Sequence, residues 1–333
     1  MRAVVWNDLT ICRIDDLTKQ RISKDWRIAM SYLYYPGCSL EGTAREYDAA
    51  TRAVMRALDV ELVEIDDWSC CGATAADGVS HLLSLVLPAR NLALAQRQRP
   101  GLPILVPCSA CYLNLKKIEI KVREQPDLLK TINTVLAQEH LELRPQISVR
   151  HLLDILAHDI GPEAVAGRVT SPISQLTVAP YYGCQCLRPY SIFDDPEEPH
   201  SMQGLIRATG ARVLSWSMGA KCCGASHMNT EMEVALELTG AILQEARGAD
   251  AVVTVCPMCQ MNLEGYQKKA SRLKGENLAM TILYLPQLLG LALGLSPLDL
   301  QTDLNLAVTK AFQVRLGPLL KQRFPLDGLS EPG

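Results

Sequence analysis

Two stretches of the chain repeat one alternation of short apolar runs and segments with helical spacing. The first opens on Tyr32–Tyr35, a run ended by Pro36-Gly37 that reads as a strand. A helical period follows over Ala44–Leu58, then a strand at Glu61–Ile65. His81–Arg97 carries apolar residues at 82, 83, 86 and 87 and cationic residues near its end, the signature of a helix. Leu102–Val106 is a strand running into Cys108-Ser-Ala-Cys111. The second stretch echoes this order: strand Leu176–Tyr181, helix Gln203–Thr209, strand Arg212–Trp216, helix Glu231–Glu245, strand Ala251–Val255. Such alternation predicts an α/β fold made of two duplicated units, each a mainly parallel sheet flanked by helices.

The boundaries follow from the repeat. Residues 31–150 form the first unit and 176–295 the second. A helical pattern over Asp127–Asp159 joins them, with 151–175 as the helical linker proper, and further helices follow Cys259. Residues 296–333 hold an amphipathic helix, Thr309–Phe324, with Lys310, Arg315, Lys321 and Arg323, expected to lie on the surface or dock a partner. Residues 1–30 are read as an extension outside the repeat, either poorly ordered or the product of an upstream start.

Composition narrows the function classes. A net charge of −3 with no basic stripe, and only three Phe, argue against a nucleic-acid partner. The first thirty residues lack the continuous apolar core of a secretory signal. The longest apolar run, Ile282–Leu295, is interrupted by Pro286, Gly290 and Gly294 and falls short of the roughly 20 residues a membrane helix needs. The expectation is a cytoplasmic protein with no membrane span of its own, any membrane attachment running through a partner. Its twelve cysteines should then stay reduced, which favours metal binding or redox chemistry over disulfides.

Ten of those cysteines form two copies of one pattern. The first half reads Cys38, Cys70-Cys71-Gly72 and Cys108-x-x-Cys111; the second reads Cys184, Cys222-Cys223-Gly224 and Cys256-x-x-Cys259. Zinc wants four ligands in a tetrahedron, and adjacent cysteines are awkward as two ligands of one small ion. A vicinal disulfide or thioredoxin-like pair leaves the other recurring thiols unexplained. Buried structural cysteines are common, because Cys packs as a small hydrophobe, but ten in duplicated register are not expected by chance. Iron–sulfur ligation accounts for all five per unit, since adjacent thiolates can serve different irons of one core. Gly72 and Gly224 are expected to let the backbone turn tightly beside that core. Because the cysteines stand where predicted strands end and helices begin, they sit where ligands gather in open α/β sheets.

These repeated Cys-Cys-Gly signatures resemble the cysteine-rich domains of the B subunit of heterodisulfide reductase. Related proteins occur in sulfur-oxidising complexes, in some succinate dehydrogenases and in lactate or glycolate oxidation. The resemblance covers about Ser31 to Leu295 and both motifs are complete. It implies two non-cubane [4Fe-4S] iron–sulfur clusters, one held by Cys38, Cys70, Cys71, Cys108 and Cys111, the other by Cys184, Cys222, Cys223, Cys256 and Cys259. It further implies a catalytic subunit that handles a disulfide, thiol or sulfur-carrier substrate by two one-electron steps. Its partners in a heterodisulfide reductase-like complex would be a ferredoxin-like protein and a flavoprotein, since no ferredoxin-type cysteine run is present here. The alternative within the same resemblance is an electron-transfer subunit of a succinate dehydrogenase- or quinone-linked complex that cleaves no disulfide.

The candidate catalytic residues are Cys71, Cys223, Lys221 and His227. Lys221 and His227 flank the second cysteine pair, where a cation would stabilise a leaving thiolate and a proton donor would protonate it. His81 holds a comparable place after the first pair. Trp68 and Trp216 precede the pairs and are expected to cover the clusters as apolar lids. Cys12 and Cys186 are expected to be unligated. Arg188, Asp194, Asp195 and His200 lie in a long Pro-rich loop, read as solvated, with contact to an anionic substrate or a partner as the functional alternative.

Overall fold

A computed structural model describes residues 30–73 and 76–321. Cys12, the N-terminal extension and the end of the C-terminal helix lie outside the described residues.

Two four-stranded sheets build the protein. The first is ordered β2-β1-β3-β4, from β1 (Met30–Tyr34), β2 (Val60–Glu64), β3 (Ile104–Val106) and β4 (Val149–His151). The second is ordered β6-β5-β7-β8, from β5 (Thr177–Tyr181), β6 (Arg212–Val213), β7 (Ala251–Thr254) and β8 (Thr281–Tyr284). The pairings are parallel, and register brings Val106 beside His151 and aligns Tyr181, Thr254 and Tyr284 across one edge. The crossovers are the helices expected from sequence, Arg45–Ala57 and His81–Gln98 in the first half, Ser201–Ala208 and Met232–Glu245 in the second. Arg45–Ala57 buries Tyr47, Ala50, Thr51, Val54 and Met55, the three-and-four spacing of one helical face. Ser80 starts the next helix by accepting a hydrogen bond from the Leu83 amide.

The expected helical linker is partly a strand. The helix Pro126–Leu136 is followed by one tight turn that ends at His140, which takes a left-handed φ of 54°. After an irregular stretch the chain forms β4, only three residues long, and then the short helical turns Leu152–Asp154 and Ile155–Ile160. Nothing local makes Val149–His151 a strand; distant side chains do. The Val149 amide donates to Glu119 Oε2 at 2.9 Å, and Arg123 donates to the Pro145 and Ile147 carbonyls just before it. In the second half β8 likewise emerges from the apolar run in which only helices were expected, and continues into the helix Leu285–Leu293.

Those fourth strands interlock the halves. The helix Leu285–Leu293 packs on Arg45–Ala57 of the first half, while the turns after β4 pack on Ser201–Ala208 of the second. At the contact Tyr47 stacks on Tyr284, with centroids 4.1 Å apart and planes within 4°. Its counterpart in the other half, Phe193, stacks on His151 at 5.9 Å. One continuous apolar core therefore runs from Leu33 and Val54 through Tyr47 to Leu205, Val253 and Leu288. A smaller core under the second sheet holds Tyr181, Leu243, Val252 and Leu263.

His151 gives this interlock a pH dependence. It is fully buried, its Nδ1 accepts from the Leu153 amide at 3.2 Å, and its Nε2 therefore bears the proton, facing Ser109 Oγ at 3.2 Å. Burial lowers its pKa from 6.5 to about 4. The neutral ring stabilises the fold above pH 6.5, and that contribution is lost as pH falls toward 4, in all about 3 kcal/mol, of which about 2 kcal/mol by pH 5. Glu264 opposes it: burial raises its pKa to about 7, so its contribution is present below 4.5 and declines as pH rises toward 7. The difference between wild type and His151→Phe isolates the histidine. Denaturation at pH 7.5 and pH 5 should show the variant losing about 2 kcal/mol less than wild type; equal losses would show that His151 does not stay neutral.

Candidate functional site: two five-thiol pockets

All ten motif cysteines lie at the C-terminal edges of the two sheets. Cys38 opens the short helix Cys38–Glu41 just after β1, and Cys184 follows β5. Cys108 is the N-cap of Ser109–Glu124, and Cys256 is the N-cap of Pro257–Gly265, whose first residue is Pro257 as the sequence suggests. A thiol at such a cap meets free N–H groups and the positive end of the helix dipole, both of which favour the thiolate.

Within each half the thiols converge. Cys38 and Cys70 approach to 3.6 Å between sulfurs, Cys71 and Cys111 to 3.4 Å, and Cys223 and Cys259 to 3.6 Å. Cys184, Cys222, Cys223, Cys256 and Cys259 together line one cavity of about 40 Å³. Hydrogen bonds among the thiols favour the thiolate at Cys71, Cys222 and Cys256. Cys71 is lowered chiefly by hydrogen bonds from Cys111 and Cys70, and Cys222 chiefly by Cys184, then by the Gly224 amide, His227 and Arg188. Their donors Cys70, Cys111 and Cys184 are pushed up in return. The Gly72 amide reaches Cys70 Sγ at 3.4 Å and the Gly224 amide reaches Cys222 Sγ at 3.3 Å, so backbone donors serve the same cysteine of each pair.

Asn114 and Asn262 form a matching set that the motif alone does not announce. Asn114 Nδ2 donates to the Cys71 carbonyl at 3.1 Å, and Asn262 Nδ2 to the Cys223 carbonyl at 2.7 Å, where Thr239 also donates. Each asparagine stands three residues after the last cysteine of its half, a signal that aligning the two halves would have exposed.

The glycines divide their work differently from expectation. Gly72 and Gly224 do adopt left-handed φ of 73° and 79°, yet a Cβ on them would strike Ala76 and Leu87, or Ala235, on the flanking helices. The glycines that face sulfur are Gly37 and Gly183, where a Cβ would lie 2.8 Å from Cys111 Sγ and 2.9 Å from Cys259 Sγ. Both also have positive φ, 75° and 70°. Five soft donors around a cradle that a methyl group would fill suit a sulfur-bridged multi-iron core. Among the described residues no three Cys, His, Asp or Glu side chains are arranged to hold a single metal ion.

Other candidates fall into place unevenly. Trp68 lines a cleft with Cys38 and Cys70, but Trp216 does not cover the second set. It donates to the Pro180 carbonyl and stands edge-on behind Tyr181, in a separate cleft with His200 and Lys221. The rings beside the thiols are Tyr35 and Tyr181, whose hydroxyls donate to the carbonyls of Ser69 and Lys221, the residues just before each cysteine pair. Cys186 is buried in the core, donates to the Tyr182 carbonyl at 3.3 Å, and is raised to about 12 by burial. Lys221 is exposed, with Nζ 3.8 Å from Glu197. His227 closes an exposed 3₁₀ turn, and His81 is exposed and 3.6 Å from Asp77. The Pro-rich loop is internally bonded: Asp194 accepts from the His200 and Ser201 amides, Asp195 from Glu197 and Glu198, and Arg188 donates to the Pro196 and Ala220 carbonyls. The two mouths differ in charge. Glu41, Glu64, Asp66 and Asp67 surround Cys38 and Cys70, whereas Arg188 and His227 act on Cys222.

Comparison with known proteins agrees with this picture. The cysteine-rich (CCG) domain model matches residues 32–116 and 178–264. The chain is 36% identical to the 8-methylmenaquinol:fumarate reductase membrane anchor subunit of Wolinella succinogenes, over 82% of this chain and 96% of that protein. It is 30% identical to the B subunit of the ferredoxin/F420H2-dependent CoB–CoM heterodisulfide reductase of Methanosarcina acetivorans, over 81% of this chain and 92% of that one. A solved structure of a hypothetical protein from Helicobacter pylori superposes with a TM-score of 0.66 at 16% identity. It covers 84% of this chain, while the chain spans about half of that protein, so the likeness is one of fold. No helix among the described residues is long and apolar enough to cross a membrane.

Proposed function

The chain belongs to the cysteine-rich (CCG) domain family, of which it carries two copies, and on that premise we propose that it is the iron–sulfur catalytic subunit of a multisubunit oxidoreductase. Each half would hold one non-cubane [4Fe-4S] cluster through its five cysteines, Cys38, Cys70, Cys71, Cys108 and Cys111 in one and Cys184, Cys222, Cys223, Cys256 and Cys259 in the other. The substrate would be a disulfide, thiol or sulfur carrier. The observation that carries this reading is how the thiols are buried. Cys71, Cys108 and Cys111 are buried while Cys38 and Cys70 are exposed; Cys223, Cys256 and Cys259 are buried while Cys184 and Cys222 are half-exposed. A site fixed on one side and open on the other suits direct contact with a small molecule, whereas structural metal sites are closed.

Bound there, the clusters would supply single electrons, two of which a disulfide needs. The chain's own residues would do the rest. Cys71 and Cys223 are buried beneath the opening, so their catalytic part would be as ligands. Lys221, directly before Cys222, and His227, whose charge bears on Cys222, would serve the departing thiolate, the ammonium by stabilising it and the imidazole by handling its proton. Exposed apolar residues on helices that follow the cysteines in sequence, Leu82 and Leu83 in the first half and Val234 and Met261 in the second, would offer surface to a ferredoxin-like protein and a flavoprotein of the same complex.

A second reading, electron transfer in a quinone-linked complex without disulfide cleavage, is favoured by the 36% identity to one component of a quinol:fumarate reductase. Spectroscopy on the anaerobically purified complex separates the two. Adding disulfides to the protein should produce a new paramagnetic state that quinols do not. Electrons arriving from quinol, with no change on adding any disulfide, would establish the second reading instead.

A further inference from the structure

One hydroxyl joins the two cysteine loops across the contact between the halves. The hydroxyl of Tyr47, fully buried, shares its proton between the Pro107 carbonyl at 3.0 Å and the Val255 carbonyl at 3.2 Å. Those two residues are equivalent in the duplication, and each directly precedes the first cysteine of its Cys-x-x-Cys, Cys108 and Cys256. The ring is held over Tyr284 by stacking, so the hydroxyl cannot swing away. Ser109 strengthens the join by donating to the same Val255 carbonyl at 3.1 Å. The duplication does not repeat the device: Phe193 replaces Tyr47 at the matching aromatic pair, and Pro257 stands where Ser109 would be, so neither hydroxyl has a counterpart. A pseudo-symmetric molecule has thus placed two asymmetric donors between its two sites, of which Tyr47 alone reaches both carbonyls.

We propose that the Tyr47 hydroxyl is a positioning group that ties the two cysteine loops together, so that the two thiol sites respond as one unit. Each loop is the N-terminal start of a helix bearing two motif cysteines, so a displacement of either carbonyl is passed to the other through the hydrogen bonds that Tyr47 shares between them. Only the redox consequence rests on the cluster reading above; the linkage itself does not.

Tyr47→Phe keeps the ring and its stacking while removing the donor. In the anaerobically purified protein, amide hydrogen exchange over 107–111 and over 255–259 should accelerate together, by about tenfold, as expected for one lost buried hydrogen bond. The reduction midpoints of both sites should shift together while iron and sulfide content stays at the wild-type level. Tyr284→Phe, which alters the other ring of the pair, should leave both quantities unchanged. Faster exchange or a shifted midpoint at one site alone would overturn the proposal, as would no change at either, or the same paired change in Tyr284→Phe. A protein that binds no iron would refute the cluster reading, and the exchange measurement would still decide the linkage.

Discussion

Replacing Cys223 by serine is expected to strip the second site while leaving the first filled, so that iron and acid-labile sulfide per chain fall to about half. Cys223 is 5% exposed, its sulfur lies 3.6 Å from Cys259, and its carbonyl is fixed by Asn262 and Thr239. Serine keeps the size of the side chain and every one of those backbone bonds, so the fold should persist. A hydroxyl is a poor substitute for a soft thiolate ligand. Cys186→Ser serves as the comparison, because that thiol is buried in the core and bonded to the Tyr182 carbonyl, outside the second cavity. Its iron and sulfide content should equal wild type. Equal losses in the two variants would mean that the cysteines act through folding and not through ligation.

The second large effect concerns the interlock. Tyr284→Ala should cost about 3–5 kcal/mol in chemical denaturation, the range for deleting a fully buried aromatic side chain. Tyr284 is 1% exposed, lies flat on Tyr47, and joins the last strand of the second half to the first crossover helix of the first. The loss should exceed that of Phe193→Ala, because Phe193 is only half-buried and its ring sits farther from His151. A cost below about 1 kcal/mol would show that the halves are stabilised separately, since an exposed side chain is removed at that level.

What the sequence disclosed and what it hid have separate physical causes. The ten cysteines, the strands ahead of them and Pro257 at the helix start were legible because each is a local signal, doubled by the duplication. The strands β4 and β8 were not. Val149–His151 is too short to show a period, and its strand conformation depends on β3 alongside and on Glu119 and Arg123 of the helix Ser109–Glu124, bonds that span 30 and 22 residues of chain. Thr281–Tyr284 runs without a break into the apolar helix that follows it. The assignment of Trp216 as a lid failed because proximity in sequence to Cys222 said nothing about side-chain direction; its indole is turned to Pro180. Gly37 and Gly183 were visible before each first cysteine, but only the backbone shows that they, and not Gly72 and Gly224, face sulfur. Tyr47 could not be found at all from sequence, since its partners Pro107, Val255 and Tyr284 are brought together by the fold alone.

Metal and sulfide analysis of the protein purified without oxygen tests the central claim most directly. Two multi-iron clusters per chain, with acid-labile sulfide in proportion to iron, are the predicted result. One or two zinc ions per chain and no sulfide would contradict it.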